Sequence, residues 1–134
     1  MIPPTGRVVG VDLGSRRIGV AVTDSNQRVA TGVATLRRRK DAAADHQALA
    51  SLVAEYDAVG VVVGLPVSLS GQLGPAARAA LAEVAQIRAA AGALRASGSP
   101  ARQRRNVIDQ SAAAVLLQNW VERRSILPGR ASDH

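Results

Sequence analysis

Apolar residues alternate with small or polar ones through the first 36 positions and then change period. Arg7 to Leu13 reads as a strand, Gly14-Ser15-Arg16 as a turn and Ile18 to Val22 as a second strand, which together make a β-hairpin. Ser25-Asn26-Gln27 marks another turn, and Val29 to Leu36 supplies a third strand of an antiparallel meander. Asp41 then caps a helix in which Leu49, Leu52, Val53 and Tyr56 recur at i, i+3, i+4 and i+7, the spacing of one buried face. Ala58 to Leu65 is a continuous valine-rich run, the pattern of a parallel strand covered on both sides. A glycine-bearing loop follows, and Pro75 opens a helix to about Leu94 whose faces are marked by Leu81, Val84 and Ile87. After the break at Gly98-Ser99-Pro100, Arg104 to Arg124 reads as a last helix with Ile108, Ala112, Leu116 and Trp120 along one side. No strand can be placed between Val84 and Asn106. The order is β-β-β-α-β-α-α, an α/β chain, expected as one domain over residues 1–134 with an ordered core of about 7–124.

Composition narrows the function. Seventeen Lys and Arg against ten Asp and Glu leave a net charge of +7, and Lys40 is the single lysine. Arginine's planar fork of donors suits phosphate, so nucleic acid is the expected partner. A GC-rich genome would also use arginine in place of lysine. Tyr56 and Trp120 stand alone as aromatics, which argues against a base-stacking platform and for contact through the phosphate backbone. The absence of cysteine suits a reducing compartment. No apolar run approaches the roughly 18 residues of a membrane span, so a cytoplasmic protein with no membrane partner is expected.

Asp12 is the residue that calls for chemistry. It is an acid inside an apolar strand, at the carboxyl end where open α/β sheets gather their ligands, and burying its charge is costly without a partner. Gly10 and Gly14 on either side are expected to let a phosphate or hydrated metal approach the backbone. Asp109 lies early in the last helix. If that helix crosses the sheet near the first strand, the two carboxylates converge, and a divalent cation between them, Mg²⁺ or Mn²⁺, would relieve their repulsion and support phosphodiester hydrolysis. The loop from Gly64 through Gly71 to Gly74-Pro75 opens a helix and is a candidate phosphate seat. Asp24 reads as a turn residue, Arg37 to Lys40 as a solvated connection, and His46 and His134 have no partner at metal-ligand spacing.

Three blocks together resemble the YqgF family, also called RuvX, of Holliday-junction-resolvase-like nucleases with an RNase H-like fold. They are Gly10-Val11-Asp12-Leu13-Gly14 with Arg17-Ile18-Gly19-Val20-Ala21 and Asp24; Val63-Gly64-Leu65-Pro66 with Gly71 and Gly74-Pro75; and Val107-Ile108-Asp109-Gln110 with Ala112-Ala113, Leu117-Gln118 and Trp120. The resemblance implies a mixed sheet in order 3-2-1-4-5 flanked by helices, with strands one to three antiparallel and strand four parallel to the first. It also implies a site in which Asp12 and Asp109 hold Mg²⁺ or Mn²⁺, and a role in maturing the 5′ end of pre-16S ribosomal RNA, with structured RNA or branched DNA as substrate. Gly14, Arg17, Gly71 and Gly74 are the matching candidates for contact with nucleic-acid phosphate. The family's fifth strand, ending in an Asp-Glu-Arg-Leu-Thr motif whose Glu completes the site, has no counterpart here. Strand four is therefore expected as the sheet edge. Glu55, Glu83 and Glu122 sit at helix positions the family does not use for metal, and Glu83 is expected in solvent. Two functions follow: a metal-dependent nuclease, or a nucleic-acid-binding protein of the same fold with weakened catalysis. An actin-like ATPase shares the opening Asp-x-Gly hairpin but needs two such lobes, and 134 residues provide one.

Overall fold

The computed structural model describes residues 2–65, 74–96 and 111–125. Three antiparallel strands come first: β1 (Val8–Leu13), β2 (Arg17–Thr23) and β3 (Ala30–Arg37). α1 (Ala42–Glu55) leads to β4 (Gly60–Val63), which pairs parallel to β1, and the sheet order is β3-β2-β1-β4. α2 (Pro75–Ala96) and α3 (Ala112–Ser125) complete the described elements. Among the described residues the β-β-β-α-β-α-α order read from the sequence holds; of the stretch in which no strand is expected, positions 97–106 lie outside them.

Alternation along β1 divides the molecule in two. Val9 and Val11 join Ile18, Val20 and Val22 of β2 in a core closed by Leu49, Leu52, Val53 and Tyr56 of α1 and Ile87 of α2. The predicted stripe of α1 is thus the buried one, and Asp41 caps the helix by accepting the Ala43 N–H at 3.0 Å. A bulge at Val33 shifts the β2–β3 register by one residue, so Val20 faces Ala34 while Ala21 faces Gly32.

On the opposite face Val8 and Ala21 pack against Ala113 and Leu117 of α3. The buried stripe of α3 is Ala113, Leu117 and Val121, one position on from the expected Ala112, Leu116 and Trp120. The three alanines at 112–114 carry no phase signal, and the strand glycines beneath decide which side packs. The part of the expected helix before Ser111 lies outside the described residues. On α2, Leu81 is exposed, and Ala77, Ala80 and Ile87 are the buried positions.

β4 departs from the covered strand that its composition suggests. It is an edge, with Val61 38 % exposed, because among the described residues no strand pairs with its outer side. A groove of about 420 Å³ runs beside it, lined by Val61 and Val63, by Leu49 and Val53 of α1 and by Ile87 and Ala91 of α2.

Candidate active site

Asp12 follows the alternation of Val8 and Gly10 and stands on the α3 face, half-buried, directly opposite Gly19. A Cβ placed on Gly19 would lie 3.7 Å from the Asp12 Cβ and 3.3 Å from the Ala113 Cβ, so the first turn of α3 sits over this pair. Ser111 fixes that turn by accepting the Ala114 N–H on its hydroxyl at 2.9 Å. Farther along, Gln118 holds α3 to β3: its Oε1 accepts the Ala30 N–H at 2.8 Å and its Nε2 donates to the Arg28 carbonyl at 3.1 Å. Asp109, two positions ahead of Ser111, lies outside the described residues, as does Gly71.

The parallel partner delivers its loop to the same end. Val11 is level with Val63, and the Gly64 N–H donates to the Val11 carbonyl at 3.4 Å, so the chain leaving β4 starts beside Asp12. Gly74 has open space where a Cβ would stand, and its carbonyl accepts the Arg78 N–H at 3.1 Å in the first turn of α2. Arg17, at the start of β2, is exposed on the Asp12 face. The described residues thus bring together Asp12, Gly64, Arg17 and the start of α3.

The two glycines beside Asp12 also have a packing task that spacing alone does not show. A Cβ at Gly10 would come within 2.7 Å of the Leu117 Cβ, and one at Gly14 would meet the Arg17 carbonyl oxygen at 2.5 Å. Gly10 is missing its side chain so that α3 can lie close, and Gly14 so that the hairpin can turn. Asp24 is the turn residue it was expected to be. Its Oδ1 accepts the N–H groups of Arg28 at 2.8 Å and Val29 at 3.0 Å, and the Val29 bond above all holds its carboxyl below the usual range.

The charged connection after β3 and the supposedly solvated Glu83 are also corrected. Arg38 donates from Nη1 and Nη2 to the Glu83 carboxylate at 2.6 and 3.1 Å and from Nε to the Gly14 carbonyl at 2.7 Å. His46, buried, meets the same carboxylate through Nε2 at 2.9 Å, and Arg39 pairs with buried Asp45 at 3.1 Å. The Arg38 hydrogen bond is the main reason the Glu83 carboxyl is held low. Burial raises the Asp45 carboxyl, but the hydrogen bonds from the Arg39 N–H and guanidinium outweigh it and leave the net shift downward. Partners 37 and 45 positions apart left no local signal in the sequence. The network ties α1 and α2 to the turn behind Asp12, on the far face from its carboxylate.

Among the described residues nothing hydrogen-bonds the Asp12 carboxylate, and no three His, Cys, Asp or Glu converge. A half-buried carboxylate with no donor among the described residues, at a strand end beneath a helix start, fits a hard divalent cation as an oxygen ligand.

A mixed four-stranded sheet with an acid at the carboxyl end of its first strand and helices on both faces is RNase H-like. The chain belongs to the RuvX family, whose profile, described as Holliday junction resolvase, matches residues 6–91. It is 42% identical over 144 residues to a protein of Rhodococcus opacus (strain B4) named "Putative pre-16S rRNA nuclease", covering 92% of this chain and 81% of that one. A protein of the same name from Anaeromyxobacter sp. (strain K) is 40% identical over 136 residues, 89% of this chain and 98% of that one. Both alignments are longer than the 134-residue chain itself, so each relative carries residues with no counterpart here.

Proposed function

We propose that this chain is a nuclease that hydrolyses phosphodiester bonds at the 5′ end of pre-16S ribosomal RNA, a cytoplasmic task, working as one domain. One observation carries the reading: Asp12 and the start of α3, just after Asp109, share one face and one end of the sheet. That placement lets the two carboxylates serve a single pocket. Asp12 and Asp109 are the residues that would hold Mg²⁺ or Mn²⁺, which when bound supplies an acidified water and charge for the leaving oxygen. The chain's own part is to orient the RNA. Asp12 is fixed by its strand and by the helix above it. Gly14, Gly71 and Gly74, with Arg17, supply contacts to the phosphates, and the excess positive charge steers the polyanion inward.

A second reading is supported by a specific observation. The family match ends at residue 91, the relatives are longer in alignment, and the described residues gather no third acid. Fixing two cations about 4 Å apart takes more acidic oxygens than two side chains offer, so a protein that binds RNA and cuts it slowly is the alternative. Cleavage of an RNA spanning the 5′ end of 16S, followed with Mg²⁺ or Mn²⁺, decides between them. The nuclease reading expects cutting by the native chain and a loss of at least about 100-fold in Asp12→Asn, in line with removing a group that acts in the transition state. RNA binding with equal, background-level cutting in both proteins would support the alternative.

A further inference from the structure

The arginine run at the end of β3 is divided by the fold. Arg38 and Arg39 are committed to Glu83 and Asp45. Arg37, the last residue of β3, stands directly opposite Arg17, the first residue of β2, and both are exposed. The next pair along, Ile18 and Leu36, packs into the α1/α2 core. Arg17 and Arg37 therefore stand on the other face, with Gly19 and Asp12. Arg17 is the diagonal neighbour of Asp12, a separation of about 7–8 Å between Cα atoms.

Two cations directly opposite on an antiparallel pair repel at about 5 Å and cost stability. Among the described residues neither guanidinium meets a carboxylate, although the same run supplies two arginines that do. Exposed Thr35, opposite Gly19, adds a hydroxyl to the same patch. What relieves such a pair is an anion shared between two planar forks, and phosphate accepts hydrogen bonds from both.

We propose that Arg17 and Arg37 together grip one backbone phosphate of the RNA, next to the bond presented at Asp12, and that Arg37 is a substrate-binding residue. This rests on the nuclease reading and adds to it the place where the neighbouring nucleotide is held. The pair fixes which way the strand crosses the sheet: from the Asp12 end of β1 across β2 toward β3.

The test is binding of a fluorescently labelled RNA spanning the 5′ end of 16S, in EDTA so that nothing is cut, over a range of salt. Arg37→Gln is expected to weaken binding and to lower the slope of log affinity against log salt by part of the roughly 0.7–0.9 that one phosphate contact is worth. Arg17→Gln with Arg37→Gln lowers it further, Arg37→Lys keeps the slope, and Arg88→Gln, exposed on α2, changes neither. The thermal midpoint of Arg37→Gln stays level or rises, because a repulsion is removed. Native affinity and slope in Arg37→Gln, or an equal loss in Arg88→Gln, would overturn the grip while leaving the nuclease reading in place. If the native chain binds no RNA at all, the nuclease reading falls, and the grip with it.

Discussion

The two faces of the sheet are built on opposite principles. On the α1/α2 side, Leu49, Leu52 and Ile18 are buried in an aliphatic core, and the polar side chains at its rim, Arg38, Glu83 and His46, are closed into one network. On the α3 side the core is smaller, Val8 and Ala21 against Ala113 and Leu117, with the strand residues Gly10 and Gly19 letting the helix lie close, and the charges at its open end, Asp12, Arg17 and Arg37, have no carboxylate or guanidinium partner among the described residues. One face holds the fold together. The other gives up side-chain volume and charge pairing to hold a helix start over an acid, which is where unmet charge belongs in an enzyme.

That contrast can be broken at several points. The largest effect on stability is expected for Leu49→Ala, about 2–5 kcal/mol from lost burial and the cavity left behind, read by urea unfolding. The RNA affinity of the folded variant should match the native one, because the substitution lies on the face away from Asp12. Gly10→Ala is smaller in chemical terms but strikes the other face. Its Cβ would force α3 away from β1, costing about 1–3 kcal/mol. Here affinity or cleavage should fall along with stability, since the start of α3 moves with the helix.

Next comes Glu83→Gln, expected to cost about 1–3 kcal/mol by leaving Arg38 without its charged partner. It also makes a prediction about acid. The carboxyls of Glu83 and Asp45 are held low in the folded chain, so what they add to stability is complete above their unfolded values near pH 4. It is lost as pH falls through that value toward the folded ones. The native urea midpoint should drop below about pH 4.5, and the Glu83→Gln midpoint, lower at neutral pH, should fall less steeply. Equal acid slopes in the two proteins would remove Glu83 from the explanation.

Much of this was legible in the residues. The hairpin, the third strand and the Leu49-Leu52-Val53-Tyr56 stripe follow from periodicity, since large apolar side chains at fixed spacing leave little choice of face. Among the described residues β4 stands at the edge, as expected for a chain without the family's fifth-strand motif. The phase of α3 is not legible, because the three alanines at 112–114 and the run Val115-Leu116-Leu117 fit either side and the choice is made by Gly10 and Gly19 on other strands. Nor could the run Arg37 to Lys40 be sorted by reading it: Arg38 and Arg39 are claimed by acids that reach them only after folding, and Arg37 is turned to the other face by the β3 register. Asp12 stands out as an acid in an apolar strand, but the packing need for Gly10 is not legible, because contact with a distant helix looks in sequence like room for a ligand.

The account depends on Asp12 and Asp109 serving one cation, and paramagnetic broadening by Mn²⁺ in the amide spectrum tests it most directly. Substoichiometric Mn²⁺ should broaden the amides around Asp12 and Gly19 together with those at the start of α3, and either Asp12→Asn or Asp109→Asn should abolish both sets at once. Broadening confined to one set, or surviving intact in one of the two variants, would contradict a shared site.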